Sequence, residues 1–378
     1  MKLAFVLYIY VPYGGLQKDF LKIASECHSR GHDVSVYTMG WEGTIPPGFN
    51  VKIIPPRGFS SHRRCKNFSD QVGDLGLKDQ HDLVIGFNKV RGLDVYFASD
   101  PCYVARALAN RSFLYRWSLR FRIYSGLEAE VFKSGTGTRV LLLNPHEQEK
   151  FMLIYHTEPE RFHVMPPGIK QHPLDPIADA NTRKRMRYSL ELSEGHRLLL
   201  MVGSGFHTKG VDRAISVLAD LPPELGPSCR LVILGQGNSR PLMRLAKKLG
   251  VADRVAFLGV KADVSSYYLA ADILLHPART EAAGMVLVEA LTHGLPVLVT
   301  DVCGYAFHVE RAAAGRLLPS PFDKGQFSAM LTEMLTSNEN PAWRANGLNY
   351  AARTDLYSLP QKAADFFEQM KACRDEYA

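Results

Sequence analysis

The sequence predicts an α/β protein built as two doubly wound halves, each on a parallel sheet. Three observations carry this. Strand and helix signals alternate along most of the chain, glycine turns punctuate them, and the alternation stops at a proline-rich stretch and then restarts. At 378 residues the chain is too long for one ordinary core and suits two domains.

The first half opens with Leu3–Tyr10, apolar and rich in aromatics as a buried strand should be. Lys2 ahead of this run imitates a secretion signal, but no small-residue cleavage site follows, so it reads as the first strand. Gly14-Gly15 breaks it. Leu16, Phe20, Ile23 and Ala24 then recur at helical spacing, Gly31 ends that helix, and Val34–Thr38 is the next strand. Strand, glycine turn, helix, strand is a βαβ unit, which sets the sheet parallel. Leu83–Phe87, Asp94–Ala98 and Val140–Leu143 are further strands.

Pro166-Pro167-Gly168 through Pro173 and Pro176 is the expected linker. Beyond it, strands are expected at Leu198–Val202, Arg230–Leu234, Val255–Leu258, Ile273–His276 and Val297–Thr300. Helices are expected at Val211–Ala219, Pro241–Leu249 and Gly284–His293, with a helical tail beyond Asp323. The expected division is 1–168 and 169–359, with a C-terminal helix over 360–378 crossing back to the first half. Ligands of such sheets bind at the carboxyl ends of the strands, here facing a cleft between the halves.

The composition, 46% hydrophobic and 22% charged, excludes a disordered or fibrous chain. A net charge of +7 favours anionic partners without choosing among them. No two of the six cysteines lie within 35 positions of one another, so neither a zinc pattern nor a disulfide framework is suggested, and free thiols in a reducing cytosol are expected. No apolar run approaches the ~18–20 residues that span a bilayer.

Four loops and one segment carry candidate chemistry. Gly14 and Gly15, directly after the first strand, let backbone N–H groups approach a ligand at a helix start, or simply make a tight turn. Gly203-Ser204-Gly205-Phe206-His207-Thr208-Lys209-Gly210 begins G-x-G but has Thr208 where a dinucleotide fingerprint needs its third glycine, and it lacks a P-loop ending. What remains is Lys209, with His207 nearby, ahead of a helix: cations suited to a diphosphate, or else a solvated lysine.

Glu281 and Glu289 stand eight positions apart around Ala282, Ala283, Gly284 and Met285 at a strand-to-helix junction. Glu281 should lie on the loop and Glu289 inside the helix, holding two hydroxyl-bearing pieces of one long ligand. The plain alternatives are a macrodipole-stabilised acid and a surface acid. Asp100, in Ala98-Ser99-Asp100-Pro101, is either a turn former or a carboxylate at the cleft. There is no D-x-D, H-E-x-x-H or G-x-S-x-G, so neither a metal site nor a hydrolase is suggested.

Tyr103–Tyr124 contains five arginines, six aromatics and no acid. Read as one helix, Phe113, Trp117, Phe121 and Tyr124 share a face flanked by Arg116 and Arg120. That is the pattern of an interfacial helix on an anionic membrane. A core-facing amphipathic helix and a single-stranded nucleic-acid surface are the other readings, and no known nucleic-acid module accompanies the segment.

Two doubly wound halves, an early Gly-Gly loop, a Lys-Gly loop opening the second half and a Glu-x7-Glu helix start together resemble the retaining GT-B glycosyltransferases, with their two Rossmann-like domains. Several runs are similar to the lipopolysaccharide core glucosyltransferases. These are Tyr13-Gly14-Gly15-Leu16-Gln17-Lys18-Asp19-Phe20, Gly86-Phe87-Asn88-Lys89, Gly92-Leu93-Asp94-Val95-Tyr96, Glu158-Pro159-Glu160-Arg161-Phe162, Gly210-Val211-Asp212-Arg213, Val302-Cys303-Gly304-Tyr305-Ala306 and Asp355-Leu356-Tyr357-Ser358-Leu359-Pro360.

The resemblance implies transfer of a hexose from a UDP-sugar to the inner-core heptose of lipopolysaccharide, with retention and without a metal or other cofactor. The enzyme would be cytoplasmic and peripheral on the anionic inner membrane, with no nucleic-acid partner. It places Gly14, Gly15, Asp19 and Gly203 around the donor and Lys209 on the diphosphate. Glu281 and the amides of Ala282–Met285 fall on the sugar, Glu289 on the ribose and Asp100 at the acceptor hydroxyl. Arg116, Trp117, Arg120, Phe121 and Tyr124 fall in the membrane-contacting part. Thr208 and Ser204 stand where many relatives carry arginine, so diphosphate neutralisation leans on Lys209, with His207 or Lys261 as helpers. Glucose is the default donor sugar and an N-acetylhexosamine the alternative. A nucleotide-sugar epimerase and a non-catalytic membrane-binding protein are the competing readings.

Overall fold

Thirteen strands form two separate all-parallel sheets in the computed structural model, which describes residues 1–12 and 14–376. Tyr13, which opens one of the glycine-containing runs, and the last two positions of the expected terminal helix lie outside the described residues. The chain divides into two compact units, Met1–Gly168 with Ser358–Ala378, and Ile169–Tyr357.

In the first unit the strands are β1 (Lys2–Leu7), β2 (Asp33–Thr38), β3 (Phe49–Ile53), β4 (Leu83–Gly86), β5 (Val95–Ala98), β6 (Arg139–Leu142) and β7 (Phe162–Val164). Their order is β3-β2-β1-β4-β5-β6-β7. In the second unit they are β8 (Arg197–Val202), β9 (Cys229–Leu234), β10 (Val255–Gly259), β11 (Ile273–His276), β12 (Val297–Thr300) and β13 (Gly315–Leu318), in the order β10-β9-β8-β11-β12-β13. Parallel strands need crossover connections, and the crossover helices cover both faces of each sheet. That is why the central strands are apolar at nearly every position: Leu3–Leu7 and Ile273–His276 are buried throughout. This is the GT-B plan.

The sheet order reverses between β1 and β4 in one unit and between β8 and β11 in the other. At such a switch point the loops leaving adjacent strands diverge and open a crevice at the strand carboxyl ends. The loops after β8 and β11 therefore meet, and they carry Lys209 and Glu281.

The expected strands all form, with β1 ending at Leu7 and Tyr10 making only an isolated bridge to Trp41. Three edge strands, β3, β7 and β13, were not expected. An edge strand buries few side chains, so it lacks the apolar run that marks a central one: β3 is exposed or half-buried throughout. The loop-like stretch ends in a helix, Pro176–Ser189. Pro176 opens it, and the Asp175 carboxylate caps the N–H groups of Ile177 and Ala178 at 3.1 and 3.0 Å. It buries no residue, so it carries no apolar stripe to read.

Tyr103–Tyr124 is not one helix. It breaks into the helix Tyr103–Asn110, a 3₁₀ turn Phe113–Trp117, and the start of the helix Leu119–Phe132, which Ser118 caps through Phe121 N–H. The expected single aromatic face is therefore corrected. The terminal helix Leu359–Glu376 packs in the first unit, where Arg30 reaches Asp365 at 2.7 Å and Arg374 reaches Asp94 at 2.6 Å. All six cysteines are free, and only Cys373 is exposed.

Candidate active site

The loop after β8 is shaped by glycines. Gly203, Gly205 and Gly210 have φ of +142°, +75° and +72°. A Cβ on Gly210 would stand 2.0 Å from the Pro277 carbonyl oxygen, and one on Gly203 2.9 Å from Lys209 Cε. Only glycine lets this loop fold back against the segment after β11. Arg279 ties the two together: its N–H donates to Thr208 O at 2.8 Å, its guanidinium to His207 O at 2.8 Å and to both Asp212 oxygens at 2.8 and 2.6 Å. Arg213 adds bonds to the carbonyls of Pro277 and Ala278, each at 3.1 Å.

The consequence is an ion pair between Lys209 Nζ and Glu281 Oε2. The same carboxylate oxygen lies 3.3 Å from Nε2 of His276, the fully buried last residue of β11. Burial opposes ionisation of Glu281, but the His276 hydrogen bond and the Lys209 charge outweigh it and hold the carboxyl down to about 2. Burial, helped by the Lys209 charge, keeps His276 below the usual histidine range, so it is neutral and donates from Nε2. Glu281 stands on the loop as expected, bridged to Cys303, and Gly304 N–H donates to its carbonyl at 3.3 Å.

Gly284, with φ +94°, caps the helix Met285–Thr292, so Ala282, Ala283, Gly284 and Met285 occupy the helix approach. Glu289 lies inside that helix, half-buried, and accepts from the hydroxyl of Tyr268 at 2.7 Å. Tyr268 is fully buried, so this bond fixes one carboxylate oxygen.

The other expected positions are less tightly joined. His207 and Thr208 are exposed, and their loop is held by main-chain carbonyls. Lys261, on the turn after β10, is exposed and makes no ion pair among the described residues. In the first unit, Gly14 caps the helix Gly15–Ser29 and Asp19 is buried on it.

Asp100 is exposed after β5. The turn behind it is anchored by two buried acids. Glu128 accepts from Lys89 Nζ at 2.5 Å, Tyr103 N–H at 2.8 Å, Val104 N–H at 3.0 Å and Tyr155 Oη at 2.8 Å, while Glu147 accepts from Cys102 N–H at 2.7 Å. Burial opposes the charge on Glu128, yet Lys89 and the two amides hold its carboxyl below the usual range.

Of the Tyr103–Tyr124 residues, Phe121 and Tyr124 turn inward onto Tyr103, at ring separations of 6.0 and 5.3 Å. Trp117 is 76% exposed, as are its neighbours Phe113 and Leu114 at 67% and 75%. Arg116 stacks over Phe113 and Arg120 over Tyr124.

His276, Arg279, Tyr268, Lys89 and Glu128 were not singled out from the sequence. His276 had a signal, a polar residue closing an otherwise apolar strand five positions before Glu281. Glu128 had none, because its partners come from three separate segments.

The chain is 44% identical over 366 residues to the lipopolysaccharide glucosyltransferase WaaG of Escherichia coli (strain K12), covering 97% of this chain and 98% of that protein. The chain belongs to the WaaG family. Residues 182–350 match the family of glycosyl transferases group 1, so the protein is a hexosyltransferase enzyme. A crystal structure of WaaG, described as a glycosyltransferase involved in lipopolysaccharide biosynthesis, superposes with a TM-score of 0.89 at 43% identity, over 97% of this chain and 99% of that one. Anabaena HepE in complex with UDP and glucose shares the fold, with a TM-score of 0.73 at 18% identity over 98% and 100% of the two chains.

The depressed Glu281 carboxyl makes this site acid-sensitive. Because its folded value lies below the unfolded one near 4.5, its contribution to stability is complete above that range and is lost as pH falls toward about 2. Thermal unfolding followed from pH 6 to about pH 3 should show a steeper loss in the parent protein than in Glu281→Gln. Equal acid limbs would contradict the assignment.

Proposed function

We propose that this enzyme transfers glucose from UDP-glucose to an inner-core heptose of lipopolysaccharide, with retention and without a metal, at the cytoplasmic face of the inner membrane. The observation that carries the reading is the half-buried Lys209–Glu281 pair at the sheet switch point, in a chain alike to WaaG over nearly its whole length. Breaking the bond between sugar and phosphate leaves extra charge on UDP. Lys209 is the cation available on the β8 loop, and the amides ahead of the helix Met285–Thr292 add positive potential.

Glu281 is engaged by Lys209 and His276, which suits it to orient sugar hydroxyls and not to attack the anomeric carbon. No covalent glycosyl-enzyme is formed. Glu289, with one oxygen fixed by Tyr268, offers the other to the ribose. Asp100 binds the acceptor hydroxyl, on a turn that Glu128 and Glu147 hold rigid.

UDP release from UDP-glucose, measured in EDTA with and without heptose-terminated core lipopolysaccharide, tests this. Release should require the acceptor, and Glu281→Ala should lower kcat/KM by about 100-fold or more. Acceptor-independent release, a need for metal, or full activity in Glu281→Ala would each overturn the reading.

Membrane association rests on a separate observation, the exposed Phe113-Leu114 and Trp117 set in a segment, Tyr103–Tyr124, that holds five arginines and no acid. Burying these side chains in a lipid interface adds apolar transfer to electrostatic attraction. Trp117→Ala should weaken flotation with anionic vesicles about tenfold while leaving the rate on a soluble acceptor unchanged. Unaltered flotation would place the contact elsewhere.

A further inference from the structure

The opposite end of the second sheet holds an arginine cluster that sugar transfer does not use. Arg197 is the first residue of β8 and Asp272 immediately precedes β11, so both stand at strand amino ends, away from Lys209 and Glu281. Asp272 is buried. Arg183 Nη2 donates to its Oδ1 at 2.6 Å and Arg187 Nη1 to its Oδ2 at 3.1 Å, Leu198 N–H donates to Oδ2 at 2.7 Å, and Arg344 Nη2 lies 3.8 Å from Oδ1.

Part of this cluster is explained by the fold. Arg183 Nη1 donates to the carbonyls of Leu269, Ala270 and Ala271 at 2.8–2.9 Å, closing the helix Ser265–Ala270. Arg187 donates to the carbonyls of Ala270, Ser193 and His196. Arg344 donates from Nη1 to the Gly294 carbonyl at 3.3 Å and from Nη2 to the Ala271 carbonyl at 2.9 Å. None of these roles accounts for the surplus of positive charge over Asp272, nor for Arg197. Arg197 is exposed, and its side chain makes no hydrogen bond or ion pair among the described residues. Burial, with Arg183 and Arg187 outweighing Asp272, pushes Arg344 down to about 10, as expected where positive charge is in surplus.

Arg183, Arg197 and Arg344 line one cavity of about 430 Å³, with Asp272, Ser337 and Asn340 on its walls. Asn340 Oδ1 already accepts from Arg344 Nε at 3.2 Å, which leaves its amide N–H groups as donors. We propose that this cavity binds a phosphoryl anion, either a free phosphate compound or the phosphate of a lipid headgroup. Forked guanidiniums match phosphate oxygens in pairs, and the neutral donors complete the shell. The anion neutralises the charge that Asp272 alone leaves over.

Inorganic pyrophosphate, added at constant ionic strength, is the first probe. It should raise the melting temperature by about 3 °C in the parent protein and in Lys209→Ala, whose donor loop is disabled. The rise should vanish in Arg197→Gln and in Arg197→Glu, which melt like the parent without pyrophosphate because Arg197 holds nothing in the fold.

The second probe is flotation of a Trp117→Ala background with phosphatidylglycerol vesicles. Capture that needs Arg197 and is displaced by pyrophosphate identifies the lipid source, and capture indifferent to Arg197 identifies a soluble one. A rise that persists in both Arg197 variants or disappears in Lys209→Ala overturns the proposal. So does the absence of any rise together with vesicle capture that ignores Arg197.

Discussion

Lys209 and Glu281 are 72 positions apart, yet their ion pair joins the loops that leave β8 and β11. An ionised carboxylate withdrawn this far from solvent is costly unless paired and hydrogen-bonded. The loop after β8 must therefore bring its lysine across to the segment after β11, and nothing bulkier than glycine fits at Gly203 or Gly210 when it does so. Arg279, with Asp212 behind it, clamps the two loops at that distance. The pair lies where the sheet order reverses, so the same reversal that opens the crevice places a cation and an anion inside it.

His276 gives the arrangement its chemical use. A carboxylate with one partner would be stranded when that partner turned to a ligand. Glu281 has a second donor in the neutral, buried imidazole, so that under the proposed function Lys209 exchanges its carboxylate for a diphosphate without leaving a bare charge. In the first unit the logic is one of rigidity. Glu128 gathers Lys89, Tyr155 and two backbone amides behind the Asp100 turn, and such a fully satisfied buried network holds a loop in one conformation.

Much of this was legible before any coordinates. Two parallel sheets followed from apolar runs and glycine turns, because central parallel strands are buried on both faces. The Lys209 and Glu281 loops stood out as polar residues at strand ends. That they pair with each other was not legible, since the two lie on different loops and only the strand order β8-β11 makes them neighbours. Three of the four edge strands, β3, β7 and β13, escaped because half-buried residues leave no pattern, and the helix Pro176–Ser189 escaped because it buries nothing. The aromatic segment misled for a physical reason. Its spacing fits one helical face, but Ser112 and Ser118 adopt extended backbone and divide it, with ψ of 153° and 143°. Trp117 is thereby left outside while Phe121 and Tyr124 fold in.

The proposed exchange of Lys209 from Glu281 to a diphosphate is tested most directly by the dissociation constant of UDP, which carries no sugar, across a double-mutant cycle of Lys209→Met and Glu281→Gln. Removing the competing carboxylate should tighten UDP about three- to tenfold when Lys209 is present, and most of that gain should disappear in the Lys209→Met background. A Glu281→Gln effect of the same size with and without Lys209, or one that weakens UDP, would contradict the exchange.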